Sequence, residues 1–382
     1  MTNRRSRIVH HFLLWAATAV LARPGLSQSQ VELRWGRVEP LIARLMERPD
    51  VAGMSIAVVD GYDLVIARSY GTRVQRAGAR MTPNTLLQAA SLSKVVTAVA
   101  ALRLVERRVL ALDEDVNRRL VSWKLPVGGL ATGEQVTLGH LLSHTGGVNV
   151  EGFQGYAPDA ALPNSLQILR GDAPANNPPI IAGEPPGRQR YSGGGYQVVQ
   201  RVLEDVTGRG FDQFMHDEVF TVAGMDHSVF AVAPPPSLRA EVAEGHALQT
   251  SGELAAVTFQ HPEFAAGGLW STASDLGRLV AGLLRAWRGD LGQLLSPESV
   301  RGMMEPSGER RMGLGVMVRD SDEGRYFMHT GQNVGFRSLL LGFLETGQGV
   351  VLMFNAEVDR AVAMELVAAV GREFEWPRFS LR

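Results

Sequence analysis

The sequence predicts a mixed α/β (α+β) fold in which strands from both ends of the chain form one antiparallel sheet. Apolar runs of strand length occur near the N-terminus and again in the last third of the 382 residues. The segment between them instead carries apolar residues at helical spacing, separated by loops, and no internal repeat is apparent. The economical arrangement is a sheet with flanking helices and a mostly helical region inserted between its two halves.

Each element follows from its local pattern. Helices are predicted where apolar residues recur every three or four positions, over residues 31–48, 91–109, 195–206, 274–285 and 359–374. Strands are predicted over residues 54–59, 64–70, 314–318, 326–329, 336–343 and 350–354. Asp60-Gly61 is a hairpin signal between the first two strands, Gly208 ends a helix, and residues 155–187 form a proline-rich surface loop.

Composition narrows the function. The chain is 45% hydrophobic and 20% charged, with a net charge of −1, so it has no global basic field to hold nucleic acid or an acidic membrane surface. It contains no cysteine, which excludes disulfides and thiolate catalysis. We therefore expect a small-molecule or peptide substrate.

The N-terminus has the pattern of a secretory signal peptide. Arg4, Arg5 and Arg7 precede an apolar run over residues 12–22, and small residues follow, with cleavage expected near Ser27. This predicts a periplasmic or secreted protein without a stable membrane span once residues 1–27 are removed. The alternative is an uncleaved N-terminal anchor, and sequencing the mature N-terminus would distinguish the two.

A candidate nucleophile lies at the start of the helix over residues 91–109. Ser91 and Lys94 are three residues apart, so their side chains share one helical face. A neutral amine can take the serine proton, and the helix N-terminus provides N–H groups for an oxyanion. Alternatively, Ser91 only caps the helix and Lys94 is solvated. The apolar flanks predict a buried lysine, and no Gly-x-Ser-x-Gly elbow occurs in the chain.

Further short motifs follow Ser91 and Lys94 along the chain. Tyr191-Ser192-Gly193 comes 100 residues after Ser91, and His329-Thr330-Gly331 comes just before a predicted strand. Two more strings accompany them, Leu-Leu-Ser-His-Thr-Gly-Gly at 141–147 and Ala-Gly-Gly-Leu-Trp-Ser-Thr-Ala-Ser-Asp-Leu at 266–276. With these motifs, the chain from about residue 51 to 354 resembles the serine β-lactamase-like hydrolases: class C β-lactamases, D-alanyl-D-alanine carboxypeptidases and β-lactamase-like esterases.

The resemblance implies roles for these residues and no cofactor. Ser91 would attack a carbonyl, with Lys94 and Tyr191 managing the proton. His329 and Thr330 would line the cleft, His329 helping to bind a substrate carboxylate or to polarise the site. On spacing alone, His329 is more simply a strand histidine that faces solvent. Gly331 would let the strand approach the substrate, and the Gln332 N–H would pair with that of Ser91 as an oxyanion donor.

Two positions distinguish branches of the family. Gly193 stands where the second motif usually ends in Asn, which argues against efficient β-lactam hydrolysis but leaves acyl transfer intact. His329-Thr330-Gly331 differs from the Trp-Gly-Gly frequent in the esterases, which favours the carboxypeptidase side.

Two histidines at helical spacing could be taken for metal ligands. His140 and His144 have a four-residue spacing, but no glutamate lies between them and no third ligand is evident. We predict no metal and a structural role for His144.

The sequence therefore predicts one serine hydrolase domain over residues 28–382, which acts on amide or ester bonds through an acyl-enzyme. Its α/β lobe would span about 28–82 and 264–382, and its helical lobe about 83–263. A carboxylesterase and a non-catalytic scaffold that binds cell-wall peptides are the alternatives.

Overall fold

The central feature of the fold is a seven-stranded antiparallel sheet. A computed structural model describes residues 25–128, 134–292, 294–308 and 311–380. Its strands are β1 (Gly53–Asp60), β2 (Asp63–Val74), β3 (Ala79–Arg80), β4 (Leu87–Gln88), β5 (Val229–Phe230), β6 (Gly245–Leu248), β7 (Leu254–Val257), β8 (Leu269–Ser271), β9 (Met317–Ser321), β10 (Gly324–Asn333), β11 (Phe336–Phe343) and β12 (Gln348–Phe354). The order β3-β2-β1-β12-β11-β10-β9 confirms that both chain ends contribute to one sheet.

The two ends of the chain meet where β1 pairs with β12, from Met54 opposite Phe354 to Val59 opposite Gly349. Every residue of both strands is buried, which is why they occupy the middle of the sheet. The predicted hairpin is also confirmed. Gly61 and Tyr62 form its turn with φ of +57° and +72°, the left-handed values that a tight two-residue turn requires.

Helices cover both faces of this sheet. They are α1 (Gln28–Met46), α2 (Ser93–Glu106), α3 (Val116–Arg119), α4 (Leu138–Leu142), α5 (Ser165–Arg170), α6 (Gly193–Thr207), α7 (Phe211–Met215), α8 (Thr221–Ala223), α9 (Phe264–Gly267), α10 (Ala273–Arg288), α11 (Pro297–Met303) and α12 (Arg360–Glu373). On what we call the outer face, α1 and α12 pack together with Met54 and Ile56. On the inner face, α10 packs with Ala57 and Val59, and the helical region extends from there.

One predicted strand is misplaced. The segment over residues 314–318 is not a strand from its start, because Gly315 has a φ of +83°, which is incompatible with a strand. A Cβ atom at Gly315 would lie 2.6 Å from the Cβ of Ala98, so this loop packs directly against α2. The strand, β9, begins only at Met317.

The inserted region is more varied than predicted. The loop over 155–187 contains α5, which Asn164 caps at its start and Gly171 ends in the left-handed conformation. Short strands also occur in the inserted region: β6 pairs with β7, and β4 and β5 each pair with β8, which follows just beyond this region in the chain. The helix predicted over 91–109 begins as a 3₁₀ turn at Ala90–Leu92 and ends at Glu106.

The predicted signal segment lies outside the described residues except for its last three positions. Ser27 caps α1, and its hydroxyl accepts a hydrogen bond from the Gln30 N–H. Within the ranges that the structure describes, no helix combines the length and the apolar character needed to cross a membrane.

Candidate active site

Ser91 occupies a tightly held turn. It is the middle residue of the 3₁₀ turn that leads into α2, directly after Ala90, whose φ of +51° is costly for a residue with a Cβ atom. The Ser93 hydroxyl donates to the Ala90 carbonyl at 2.6 Å and accepts from the Leu269 N–H at 3.1 Å. These bonds hold the strained turn and place half-buried Ser91 at the helix N-terminus.

Lys94 contacts Ser91 directly. Its Nζ lies 3.0 Å from the Ser91 Oγ, as the three-residue spacing predicts, and it donates to the Ala266 carbonyl at 2.6 Å. Lys94 is 2% exposed, and among the described residues its hydrogen bonds go to a hydroxyl and a carbonyl and not to a carboxylate. Instead, the rings of Tyr191 and Tyr196 lie 5.1 and 5.8 Å away. The Lys94 amine is therefore within hydrogen-bond reach of the serine proton, the geometry that a general base requires.

Tyr191 is positioned by the start of α6. The next residue, Ser192, caps this helix: its hydroxyl accepts from the Gly195 N–H at 2.9 Å and donates to the Asn149 carbonyl at 2.7 Å. The backbone approaches closely here, since a Cβ atom at Gly194 would lie 2.7 Å from the Asn149 oxygen. At Gly193, it would lie 3.1 Å from both the Glu151 oxygen and the Phe153 ring. Phe153 therefore borders the space that a side chain at position 193 would enter.

His144 supports Tyr191 from behind. Its Nδ1 accepts a hydrogen bond from the Ser192 N–H at 3.1 Å, and its ring centroid lies 4.3 Å from that of Tyr191. Burial and the nearby Lys94 charge lower the pKa of His144 well below its usual value, so the ring is neutral. Because α4 ends at Leu142, His140 and His144 do not share a helical face as their spacing suggested.

His329 faces the site and not the solvent. It is 2% exposed, and its ring centroid lies 6.3 Å from that of Tyr191. Its Nδ1 lies 2.7 Å from the Thr330 carbonyl, which makes Nδ1 the protonated nitrogen. Burial, followed by the Lys94 charge, lowers the pKa of His329 to about 3. His329 is therefore neutral at pH 7.

The third motif lies inside β10 and not just ahead of a strand. The Leu344 N–H donates to the Arg325 carbonyl, which sets the phase of the β10–β11 ladder. In that phase, odd-numbered residues of β10 bond to β11, and the N–H groups of Thr330 and Gln332 point away from it. Since β9 pairs with β10 only as far as Met328, this edge is open.

Gly331 brings that edge against the nucleophile turn. A Cβ atom on Gly331 would lie 2.5 Å from the Ala89 oxygen and 2.2 Å from the Ser338 Oγ. The Ser338 hydroxyl also donates to the Ala89 carbonyl at 2.8 Å. The Gln332 N–H is thus presented at the open edge beside the turn that carries Ser91, the place that the resemblance assigns to an oxyanion donor.

Sequence reasoning missed three groups. The Ala266 carbonyl, which holds Lys94, belongs to a string noted only as an accessory motif. Tyr196 is buried one turn after the second motif and donates to the Leu142 carbonyl at 2.9 Å. Asn333 donates to Gln88 Oε1 at 2.7 Å and ties the end of β10 to β4. No spacing pattern indicates these partners, since each bond joins distant parts of the chain.

The chain is similar to known proteins in sequence and in fold. The family model described as Beta-lactamase matches residues 38–371. The chain is 25% identical over 301 residues to the D-alanyl-D-alanine-carboxypeptidase/endopeptidase AmpH of Escherichia coli (strain K12), covering 74% of each chain. It is 30% identical over 239 residues to penicillin-binding protein 4 of Amycolatopsis lactamdurans, covering 60% of this chain and 58% of that one. Among solved structures, the octameric penicillin-binding protein homologue from Pyrococcus abyssi aligns with a TM-score of 0.73 at 25% identity, covering 87% of this chain and 76% of that chain.

Proposed function

Because the chain belongs to the Beta-lactamase family, we propose that it is a serine hydrolase that cleaves amide or ester bonds through an acyl-enzyme on Ser91. The contact that carries the proposal is the 3.0 Å distance between Lys94 Nζ and Ser91 Oγ. A solvated lysine beside a capping serine would not be 2% exposed.

The proposed reaction has two steps. Lys94 reacts in its amine form and takes the Ser91 proton while Oγ bonds to the substrate carbonyl carbon, and the N–H groups of Ser91 and Gln332 hold the oxyanion. The carbonyl re-forms as the bond to the leaving group breaks, and Tyr191 delivers its proton to the leaving group. Lys94 then returns the proton that it took from Ser91 to Tyr191, so that both groups are restored. Water then attacks the acyl-serine by the same route in reverse and releases the acid and Ser91.

Esters are a second candidate substrate beside D-alanyl peptides. Neutral His329 provides no cation next to the scissile bond, and Gly193 provides no side-chain amide. Both features reduce recognition of the polar groups that flank the scissile bond in a β-lactam or a D-alanyl peptide. They leave the nucleophile, its base and the oxyanion donors in place.

A fluorophosphonate that reacts with activated serines tests the proposal against a non-catalytic scaffold. We expect stoichiometric labelling of Ser91 and none in Ser91→Ala. Lys94→Met should slow labelling by about a hundredfold or more, the usual contribution of a positioned base. Lys124 is the only other lysine of the sequence and is exposed, which makes Lys124→Met the matched control; it should label at the wild-type rate.

Two results would contradict the proposal. If folded wild-type protein leaves Ser91 unlabelled, or if Lys94→Met and Lys124→Met label equally fast, Ser91 is not an activated nucleophile. Ring opening of a β-lactam followed by absorbance, with the same variants, then separates sustained turnover from a single acylation event.

A further inference from the structure

Tyr191 lies outside the helix that follows it. The cap of α6 is the next residue, Ser192, whose φ of −144° and ψ of +113° are extended, and the helix begins only at Gly193. The regular hydrogen bonds of the helix therefore do not fix the backbone at Tyr191. The orientation of its side chain depends on contacts with other parts of the chain.

Three of these contacts come from one residue, His144, in the turn that follows α4. Its carbonyl accepts a hydrogen bond from the Arg190 N–H at 2.8 Å, and its Nδ1 accepts one from the Ser192 N–H at 3.1 Å. Its ring centroid lies 4.3 Å from that of Tyr191, the residue between these two donors. His144 thus holds the backbone on both sides of Tyr191 and also contacts its ring.

The backbone of His144 is itself in a costly conformation. Its φ is +59°, in the left-handed region, which costs about 1–3 kcal/mol for a residue other than glycine. Such a conformation persists only where the surrounding structure fixes it, and it occurs preferentially at functional sites. In this conformation, both the carbonyl and the imidazole of His144 reach the segment over residues 190–192.

The hydrogen bond to Ser192 also defines the protonation state of the ring. Because Nδ1 accepts from a backbone N–H, it carries a lone pair, and the proton of the neutral ring is on Nε2. His144 is 2% exposed, and its Nε2 has no hydrogen-bond partner among the described residues. A proton on Nδ1 would break the bond to Ser192, so this contact requires the neutral Nε2–H form.

We propose that His144 is a positioning residue, which aims the Tyr191 hydroxyl at the leaving group by holding the backbone on either side of it. The inference rests on the proposed function, in which Tyr191 delivers its proton to the leaving group. His144 acts only through Tyr191 and exchanges no proton itself. Its loss should matter most where the leaving group must be protonated as it departs, because a displaced donor slows that transfer.

Two acetate esters with different leaving groups test this. The alkoxide of ethyl acetate must be protonated, whereas the 4-nitrophenolate of 4-nitrophenyl acetate leaves as an anion. We would measure kcat/KM, which reports acylation, by titrating the acid released. His144→Phe keeps an aromatic ring but removes Nδ1. It should lower kcat/KM for ethyl acetate by about tenfold to a hundredfold, the usual effect of displacing a catalytic group, and leave that for 4-nitrophenyl acetate near the wild-type value.

Three further variants are the controls. His144→Asn keeps an acceptor near the Nδ1 position and tolerates the left-handed backbone, so it should retain most of the activity towards ethyl acetate. His216→Phe changes a histidine whose side chain is 62% exposed and should match wild type for both esters. In Tyr191→Phe, adding His144→Phe should cause no further loss for ethyl acetate, because the residue through which His144 acts is already altered.

Several results would overturn the inference. His144→Phe lowering both esters by the same factor would show a merely structural role. The inference also fails if His144→Asn loses as much as His144→Phe, if the loss persists in Tyr191→Phe, or if labelled wild-type protein cleaves only the 4-nitrophenyl ester. Where His144→Phe does not fold, nitrogen-15 spectra of histidine-labelled wild-type protein decide, with His144 assigned from His144→Asn. They should show the neutral Nε2–H form, and a proton on Nδ1 would overturn the inference.

Fluorophosphonate labelling separates this inference from the proposed function. Fluoride leaves without a proton, so folded His144→Phe should still be labelled on Ser91 at about the wild-type rate. If wild-type Ser91 is labelled but the expected ester pattern is absent, this inference alone is rejected. If wild-type Ser91 is not labelled, the proposed function has failed as well.

Discussion

Glu263 is a buried carboxyl group next to the catalytic framework and outside the three motifs. Its side chain is 1% exposed, and neither oxygen has a hydrogen-bond partner among the described residues. Burial raises the pKa of Glu263 to about 8 and lowers that of His261, whose Nδ1 lies 3.8 Å away, to about 4. Between these values both side chains are neutral. Three residues later, the Ala266 carbonyl holds Lys94.

This environment predicts that Glu263 makes the stability of the wild-type protein depend on pH, and that Glu263→Gln removes this dependence. The folded state binds the Glu263 proton more tightly than the unfolded chain, where the pKa is near 4.5. The stability contributed by this proton is therefore complete below about pH 4.5 and is lost as the pH rises through about 8. Each pH unit in that window removes up to about 1.4 kcal/mol from the free energy of unfolding.

Urea denaturation at several pH values measures this effect. Because glutamine is neutral throughout, Glu263→Gln should gain stability relative to wild type as the pH rises from 4.5 to 8. Glu298→Gln changes an exposed residue of α11, and the stability of this control should depend on pH in the same way as that of wild type. A constant difference between Glu263→Gln and wild type at every pH would show that Glu263 is already ionised in the fold.

At the scale of elements, the site depends on how closely β10 approaches the turn that carries Ser91. The spacing of the first motif predicts the Ser91–Lys94 contact because both residues lie within one helical turn. The distance between that turn and β10 depends on Gly331, which is distant in sequence. Only the structure shows that a Cβ atom there would meet the Ala89 carbonyl, which is backbone and cannot rotate away.

Gly331→Ala should therefore push the strand away from the turn. We expect a loss of about 1–3 kcal/mol in the free energy of unfolding from overpacking, together with slower fluorophosphonate labelling as the Gln332 N–H shifts. Gly302→Ala is the matched control, because Gly302 lies in α11 with no atom within 4 Å of a Cβ at that position. This substitution should leave the free energy of unfolding unchanged or raise it by up to about 1 kcal/mol. If folded Gly331→Ala is labelled at the wild-type rate, the close approach of β10 to the turn does not affect the reactivity of Ser91.

At the scale of the whole molecule, the sheet separates two cores. The inner core contains the elements that carry Ser91 and Lys94, whereas the outer core is formed with α1 and α12. Trp35 on α1 is 1% exposed, and its Nε1 donates to the Tyr70 hydroxyl at 3.0 Å. It contributes to the packing of the outer face, and the sheet lies between it and Ser91.

Trp35→Ala should consequently lower stability without changing the reactivity of the folded enzyme. Removing a buried tryptophan costs about 3–5 kcal/mol of unfolding free energy, measurable by urea denaturation. The labelling rate of Ser91 at low temperature, corrected for the folded fraction, should match wild type. Leu33→Ala, on the same helix at a residue 63% exposed, should change neither quantity. A reduced rate in folded Trp35→Ala would show that the two cores are coupled through the sheet.

The sequence by itself determined the elements whose causes are local. Periodicity predicted the two-ended sheet, most of its helices and strands, and the shared face of Ser91 and Lys94, because each depends on residues within a few turns of one another. Burial of Lys94 also followed from its apolar neighbours. The displaced start of β9 shows the limit of this reasoning, since the left-handed Gly315 is explained by its contact with α2.

The tertiary structure alone decided the electrostatics and the shape of the site. The neutrality of His329 and Glu263 results from desolvation by residues far away in sequence, and no local pattern reports it. A cavity of about 500 Å³ that Arg319 lines exists because β9, β10 and α12 come together at one open edge. Desolvation and cavity shape are properties of the assembled packing, whereas helical and strand periodicity are properties of the chain.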